Sequence, residues 1–173
     1  MPPPLGMDEV ERERAERRVG TTINGAFRLD AVLGIGGMAT VYAATQEDGA
    51  RVALKILHAE LAGQRSIEER FLREGYVANR IDHRGRVEIL GDDVTEAGEP
   101  FLIMELLEGQ TIETLCQKRG PTLPLVIGLS ITEQVLDTLG HFHERGVIHR
   151  DLKPGNIFIT REGVVKLLDF GVA

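Results

Sequence analysis

Between residues 27 and 57, three apolar stretches follow one another across two short breaks, and this spacing constrains the fold more than any other feature of the chain. Residues 27–33 and 41–44 flank the glycine-rich segment Gly34-Ile35-Gly36-Gly37, and the turn Glu47-Asp48-Gly49 leads into residues 51–57. Asp-Gly between apolar runs is a strong hairpin signal. Such hairpin-sized connections predict three antiparallel strands in a row.

The remaining chain extends this pattern. Residues 66–81 read as a helix opened by a Ser66/Glu69 capping box. Residues 87–94 and 101–104 read as two more strands, joined by a turn through Gly98 and Pro100. Glu108-Gly109 marks a linker, and helices are expected over 111–119 and 124–144, the longer one stopped by Gly146. A last hairpin, 157–160 with 164–168, turns at Arg161-Glu162-Gly163. Five strands with one inserted helix, then mostly helix, is an α+β order in two lobes rather than alternating βαβ. The expected organisation is an arm at 1–26, a strand-rich lobe at 27–105, a hinge at 106–109 and a helical lobe at 110–173. Residues 1–6 are proline-rich and expected to be disordered. Residues 7–18 pair charges at i,i+4, with Val10 and Ala15 as their apolar contacts, so a mobile charged arm or a solvated helix is expected.

Composition narrows the function classes. Hydrophobic residues make up 42% and charged residues 27%, and the net charge is −7, which argues against a general nucleic-acid binder. No apolar run approaches the roughly 18 residues of a transmembrane helix, and the N-terminus lacks a signal-peptide pattern. Cys116 is the single cysteine, so neither an internal disulfide nor a cysteine zinc site can form. A cytoplasmic protein is expected. His58, His83, His141 and His143 show no metal-ligand spacing with carboxylate support on one helix face, and are expected to be structural.

Several residues carry chemical potential. Lys55 lies in an otherwise apolar strand, where alternation puts Ala53, Lys55 and Leu57 on one face and Val52, Leu54 and Ile56 on the other. Taken alone, such a lysine reads as an edge-strand residue reaching water. On the following helix, Ile67, Phe71, Glu74, Ala78 and Ile81 form one stripe with a carboxylate in its middle. A buried carboxylate is costly unless paired, and Lys55 is a candidate partner. The glycine-rich turn offers backbone N–H groups to phosphate oxygens. Asn156 precedes the first strand of the last hairpin and Asp169 follows the second, so antiparallel pairing brings an amide oxygen and a carboxylate to one end, where they could hold a hard cation such as Mg²⁺. They could equally be turn residues. In the loop before them, Asp151 could accept a proton and Lys153 could meet a phosphate.

Together these residues resemble the eukaryotic-type protein kinase family, over residues 27–173. Gly34-Ile35-Gly36-Gly37-Met38-Ala39-Thr40-Val41 resembles its glycine-rich loop, Val52-Ala53-Leu54-Lys55 its phosphate-binding lysine strand, His149-Arg150-Asp151 through Asn156 its catalytic loop, and Asp169-Phe170-Gly171 its metal-binding triplet. Asp151-Leu152-Lys153-Pro154 is similar to the serine/threonine subgroup, and the Gly-Gly-Met run to bacterial members. The resemblance implies an ATP- and Mg²⁺-dependent kinase acting on protein serine and threonine hydroxyls. Lys55, placed by Glu74, would hold the α- and β-phosphates under the loop of Gly34, Ile35 and Gly36. Val41, Ala53 and Phe158 would sandwich adenine, with Met104 at the back of the pocket and Leu107 in the hinge Glu105-Leu106-Leu107 bonding the base. Asn156 and Asp169 would hold Mg²⁺. Asp151 would orient the substrate hydroxyl and accept its proton, and Lys153 would stabilise the transferred group.

Three departures qualify that expectation. Ala39 stands where the family has a third glycine, His83-Arg84-Gly85-Arg86 lacks the usual proline, and the sequence ends at Ala173, before any counterpart of the activation segment and later helices. A truncated kinase is therefore expected, weakly active or inactive alone, with exposed apolar surface in its helical lobe prone to partner binding or self-association. The alternative is a non-catalytic kinase-like binding module that acts through a partner. A small-molecule kinase of related fold fits the Asp151-Leu152-Lys153-Pro154 segment less well.

Overall fold

The computed structural model describes residues 7–120 and 122–169, and places them in two compact units. The first draws on the chain up to Leu72 and on Leu90–Leu106; the second draws on Arg73–Ile89 and on the chain from Leu107. The boundary thus runs through a helix, whereas the sequence pattern put all of 27–105 in one lobe. The reason is packing: Ile81, fully buried, belongs to a core with Val135, Phe142, Val165 and Leu167 of the second unit.

In the first unit, α1 (Met7–Arg18) is followed by β1 (Thr22–Ile23), β2 (Phe27–Ile35), β3 (Ala39–Gln46) and β4 (Arg51–Leu57). Helix α2 (Arg65–Asn79) begins in this unit, and β5 (Ile89–Val94) and β6 (Pro100–Glu105) complete its sheet. The strands pair in the order β1-β2-β3-β4-β6-β5, so the expected five-stranded sheet has a sixth, two-residue strand. Period-two alternation sorts the residues as predicted. Val52, Leu54 and Ile56 join Leu29, Tyr42, Ala44 and Phe101 in one core, and Phe27 meets Phe101 edge to face at 5.9 Å. Strand β4 pairs with β3 and β6 on its two sides, so Lys55 sits in a central strand and is no edge residue reaching water.

The helix signals need one correction. Helix α2 starts at Arg65, which places Ser66 inside the helix rather than at its cap. Glu69 pairs with Arg65 at 2.7 Å and Glu68 accepts the Gly63 N–H at 2.7 Å, while the Ile67 and Glu68 N–H groups reach the Gln64 carbonyl.

The N-terminal segment also departs from the expected mobile arm. Helix α1 lies against the sheet, with Ala15 buried in the same core as Leu29 and Ile56. One apolar contact would not hold a helix this charged. What does so is Arg18, whose guanidinium donates to both oxygens of Glu99 at 3.0 and 2.8 Å. Glu99 is itself buried and also accepts the Thr95 hydroxyl at 3.1 Å. A bidentate fork of this kind satisfies a carboxylate that burial would otherwise penalise. Arg14 makes an ion pair with Glu60 further along the helix.

The second unit holds β7 (Gly109–Thr111), α3 (Ile112–Arg119), α4 (Leu125–His143), β8 (Ile157–Thr160) and β9 (Val165–Leu167), with the three strands in the order β7-β8-β9. Thr111 caps α3 by accepting the Thr114 N–H at 3.1 Å. Helix α4 ends as its glycine predicted: Gly146 takes φ +73, its N–H reaches the His143 carbonyl and the Val147 N–H the Phe142 carbonyl, a Schellman arrangement.

Removing the fork leaves Glu99 buried without its cation. Arg18→Ala is expected to lower stability by about 2–3 kcal/mol, while Arg17→Ala, whose partner Glu13 lies on the exposed surface, should change it by less than about 0.5 kcal/mol. Urea denaturation of the two variants checks this; equal midpoints would show that α1 is not held by the fork.

Candidate active site

The first unit brings one set of the sequence-selected residues together. Register pairs Val41 with Lys55 and Ala53 with Met104, so Val41, Ala53, Lys55 and Met104 share the sheet face opposite the Leu29–Tyr42–Leu54 core. Glu105 pairs with Val52 and belongs to the other face. The glycine-rich segment spans the β2–β3 connection, where Gly34 pairs with Val41 and Ile35 with Thr40. Ile35 packs its side chain against the core, leaving its backbone as the part exposed to a ligand.

The glycines of this turn are not required by the fold. None of Gly34, Gly36 and Gly37 has positive φ; a Cβ on Gly34 or Gly37 would meet nothing within 4 Å, and one on Gly36 would make only an ordinary 3.5 Å contact. The missing side chains leave the backbone uncovered, as close approach of phosphate oxygens demands, although the Gly36 N–H itself donates to the Ala39 carbonyl at 2.9 Å. Ala39, at the family's third glycine, is buried and pairs with Leu57, so its methyl faces protein.

The second unit assembles the loop after α4. His149 is buried, and its Nε2–H donates to the Leu168 carbonyl at 2.8 Å. Arg150 takes φ +63, a sparsely populated conformation for a side chain this bulky, and the chain turns to expose Asp151. The Asp151 carboxylate accepts from Lys153 Nζ at 2.7 Å and from Asn156 Nδ2 at 2.9 Å. Asn156 Nδ2 also donates to the Asp151 carbonyl at 2.8 Å. The amide nitrogen of the buried Asn156 is thus committed to Asp151, and its amide oxygen is the remaining polar atom of the side chain. A 3₁₀ turn, Pro154–Asn156, delivers the chain to β8, where Ile157 pairs with Leu167 and the Leu168 N–H reaches the Asn156 carbonyl at 2.9 Å. The hairpin therefore does bring Asn156 and the Leu168–Asp169 end together. Asp169 is exposed with φ +52. Phe170 and Gly171 lie outside the described residues.

Electrostatics follow from these contacts. The Lys153 hydrogen bond holds the Asp151 carboxyl below its ordinary range, so it stands ionised as an acceptor, and the same bond raises Lys153. Burial pushes His149 below its ordinary value, keeping the imidazole neutral.

Two of the selected residues have clear local settings in this unit. Phe158 lies over Gly109, whose φ of +155 and whose virtual Cβ, 2.0 Å from the Ile159 carbonyl, exclude any side chain. Leu107 is half-buried just before β7, and Glu74 is half-buried on the part of α2 that belongs to this unit. Sequence reasoning missed Glu113: from the first turn of α3 it approaches Gly155 in the catalytic loop, and its charge also raises Lys153. A carboxylate in the first turn of a short helix carries no local sign of that contact.

The protein kinase domain family matches residues 27–173, and the chain belongs to that family. Serine/threonine-protein kinase Pkn1 of Myxococcus xanthus is 42% identical over 86% of this chain and 22% of its own length. PrkC of Bacillus subtilis, another serine/threonine-protein kinase, is 37% identical over 90% of this chain and 24% of its own. The chain thus spans about a quarter of the length of these relatives. Among solved structures, the PknI kinase domain of Mycobacterium tuberculosis superposes with a TM-score of 0.69 at 29% identity, covering 89% of this chain and 61% of that one.

Two predictions follow from the local physics. Gly34→Ala and Gly36→Ala should leave the melting temperature unchanged or raise it, because they remove unfolded-state freedom worth about 0.4–1 kcal/mol, yet both should weaken Mg²⁺-ATP binding; a loss of stability instead would mean the fold itself needs these glycines. For His149, the folded value lies below the unfolded value of 6.5. Its contribution is therefore neutral above that pH, and stability declines as pH falls below it, since only the unfolded chain takes up the proton. An NMR titration should give His149 a midpoint below 6.5; a midpoint above it would contradict the buried neutral ring.

Proposed function

We propose that the chain carries the nucleotide-binding and catalytic-loop machinery of an ATP-dependent serine/threonine protein kinase. The observation that carries this reading is the Asp151–Lys153–Asn156 cluster, tied by the Leu168 peptide to the strand end that bears Asp169. Phosphoryl transfer is mainly positioning and charge neutralisation, and these residues supply both.

The donor set fits a hard divalent cation: a carboxylate on Asp169 and the uncommitted amide oxygen of Asn156 are both oxygen ligands. Mg²⁺ bound there would neutralise phosphate charge. Asp151, held ionised, would orient a serine or threonine hydroxyl and receive its proton. Lys153 would offer its ammonium to the moving phosphoryl group. Lys55 would pair with the α- and β-phosphates, and the backbone of Gly34–Gly37 would cover them. Val41, Ala53 and Met104, on the same sheet face, would contact adenine. The substrate is a protein carrying the acceptor hydroxyl, and the cytoplasm is the proposed compartment.

A second reading, a non-catalytic module acting through a partner, draws support from the apolar side chains that α4 exposes: Leu125, Val126, Leu129 and Leu136. No helix among the described residues is long and apolar enough to cross a membrane. Phosphate transfer separates the readings.

Mg²⁺-ATP at about 100 times its dissociation constant should stabilise the chain by about 2.7 kcal/mol, and Lys55→Met should abolish that gain. Asp151→Asn should keep the gain but lower transfer to a serine/threonine peptide about 10²–10⁴-fold. Nucleotide binding without transfer in the unmutated chain would favour the partner-dependent module, and equal transfer by Asp151→Asn would overturn the assignment of the base.

A further inference from the structure

The histidines expected to be structural are not all alike. His83, in the loop after α2, Asp137 and His141, one turn apart on α4, bring their side-chain donor atoms within 4.8 Å of one another. All three belong to the second unit. His83 Nε2 lies 3.1 Å from Asp137 Oδ2, and His141 Nδ1 lies 3.7 Å from Asp137 Oδ1. The two imidazoles face each other with centroids 4.4 Å apart.

We infer that these three side chains form a site for a divalent transition metal of the zinc class. Two imidazoles and one carboxylate are the ligand chemistry of zinc, cobalt or nickel; calcium and magnesium prefer oxygen throughout. Metal–ligand bonds of about 2.0–2.2 Å in a tetrahedron hold donor atoms roughly 3.3–3.5 Å apart. The two histidine nitrogens lie 3.1 and 3.7 Å from different oxygens of the Asp137 carboxylate, and one donor atom from each residue lies within 4.8 Å of the others, so closure needs the carboxylate to turn one oxygen between the rings. Water would take the fourth position.

The supports are rigid. Gly85 is pressed against α4 so closely that a Cβ would stand 2.0 Å from Thr138 Oγ1, which fixes the loop one residue from Asp137 along the helix. The Gly85 N–H donates to His83 Nδ1 at 3.0 Å, so the ring proton stands on Nε2, directed at Asp137. Coordination through Nε2 transfers that proton to Nδ1 and gives up the Gly85 bond, one neutral hydrogen bond against a metal–nitrogen bond. His141 donates through Nδ1 to the Asp137 carbonyl at 2.9 Å; ligation through Nδ1, the atom 3.7 Å from Asp137 Oδ1, moves that proton to Nε2 and gives up this bond, while the carbonyl keeps its helix bond.

Occupancy would staple this loop to α4. The same loop props β9: the Gly85 carbonyl accepts the Leu167 N–H at 2.8 Å, and the Arg86 carbonyl accepts Lys166 Nζ at 2.9 Å. The metal would thus brace the strand that leads to Asp169, on the side away from the Asn156 contact.

The test is a titration of the untagged chain, stripped with a chelator, with Zn²⁺ by calorimetry and with Co²⁺ by visible absorption. One equivalent should bind, with the strong d–d bands of four-coordinate cobalt and a rise in melting temperature. His141→Ala, at a half-exposed position that tolerates truncation, and Asp137→Asn should each weaken binding at least tenfold, with circular dichroism confirming the fold. His143→Ala, exposed on the same helix, should leave it unchanged. Absence of a stoichiometric site, binding undiminished in both variants, or an equal loss in His143→Ala would overturn the proposal. None of these readouts depends on kinase activity.

Discussion

The peptide groups of Leu168 are the point on which the second unit turns. The Leu168 N–H is held by the Asn156 carbonyl at 2.9 Å and its C=O by His149 Nε2–H at 2.8 Å. Both ends of the His149–Asn156 loop are thereby locked to the residue just before Asp169. Because His149 is buried and neutral, it acts as a fixed donor rather than a charge needing its own counter-ion. The positive φ at Arg150 and at Asp169 each directly follows one of these anchored residues, His149 and Leu168. Strain of that kind persists only where the surroundings over-determine it.

A comparable economy governs the first unit's sheet. One face is devoted to packing, with Leu29, Tyr42, Leu54 and Phe101 at its centre and Ala15 of α1 against it. The other carries Val41, Ala53, Lys55 and Met104. Strand alternation lets one seven-residue strand, β4, serve both purposes without compromise. A central position also explains why a lysine is tolerated there: neighbours on both sides hold the backbone, so the side chain is aimed rather than free to seek water at an edge. Family membership gives that aim a chemical meaning; the sheet alone supplies only the direction.

Most of this was legible because it is local or periodic. The Asp48-Gly49 turn, the alternation in β4, the glycine stop of α4 and the juxtaposition of Asn156 with the end of β9 each follow from a few neighbouring residues. What escaped is long-range and polar. Helix α1 has too few apolar residues to betray a docked face, and Arg18 finds Glu99 across 81 positions. Glu113 reaches the catalytic loop from a different element. On α4 the Asp137/His141 spacing was in plain view, but its third member, His83, arrives from 54 residues away and gave no periodic signal. The Ser66 box failed for a different reason: Arg65 and Glu68 supply competing partners at the same helix end, and cap motifs are decided by which partner is nearer.

The glycines show how far such local reading extends toward function. Gly85 and Gly109 are dictated from within, since a Cβ at either would stand 2.0 Å from another atom. Gly146 is dictated by its φ of +73. Gly34, Gly36 and Gly37 answer to neither constraint. A glycine that sterics and backbone conformation both leave optional costs stability through the unfolded chain's extra freedom, so three of them together oppose folding slightly without return inside the protein. The return must come from outside, from a group that needs bare backbone. Under the proposed function that group is the phosphate chain: its charge suits the lysine of the next strand, and its close approach needs backbone without side chains.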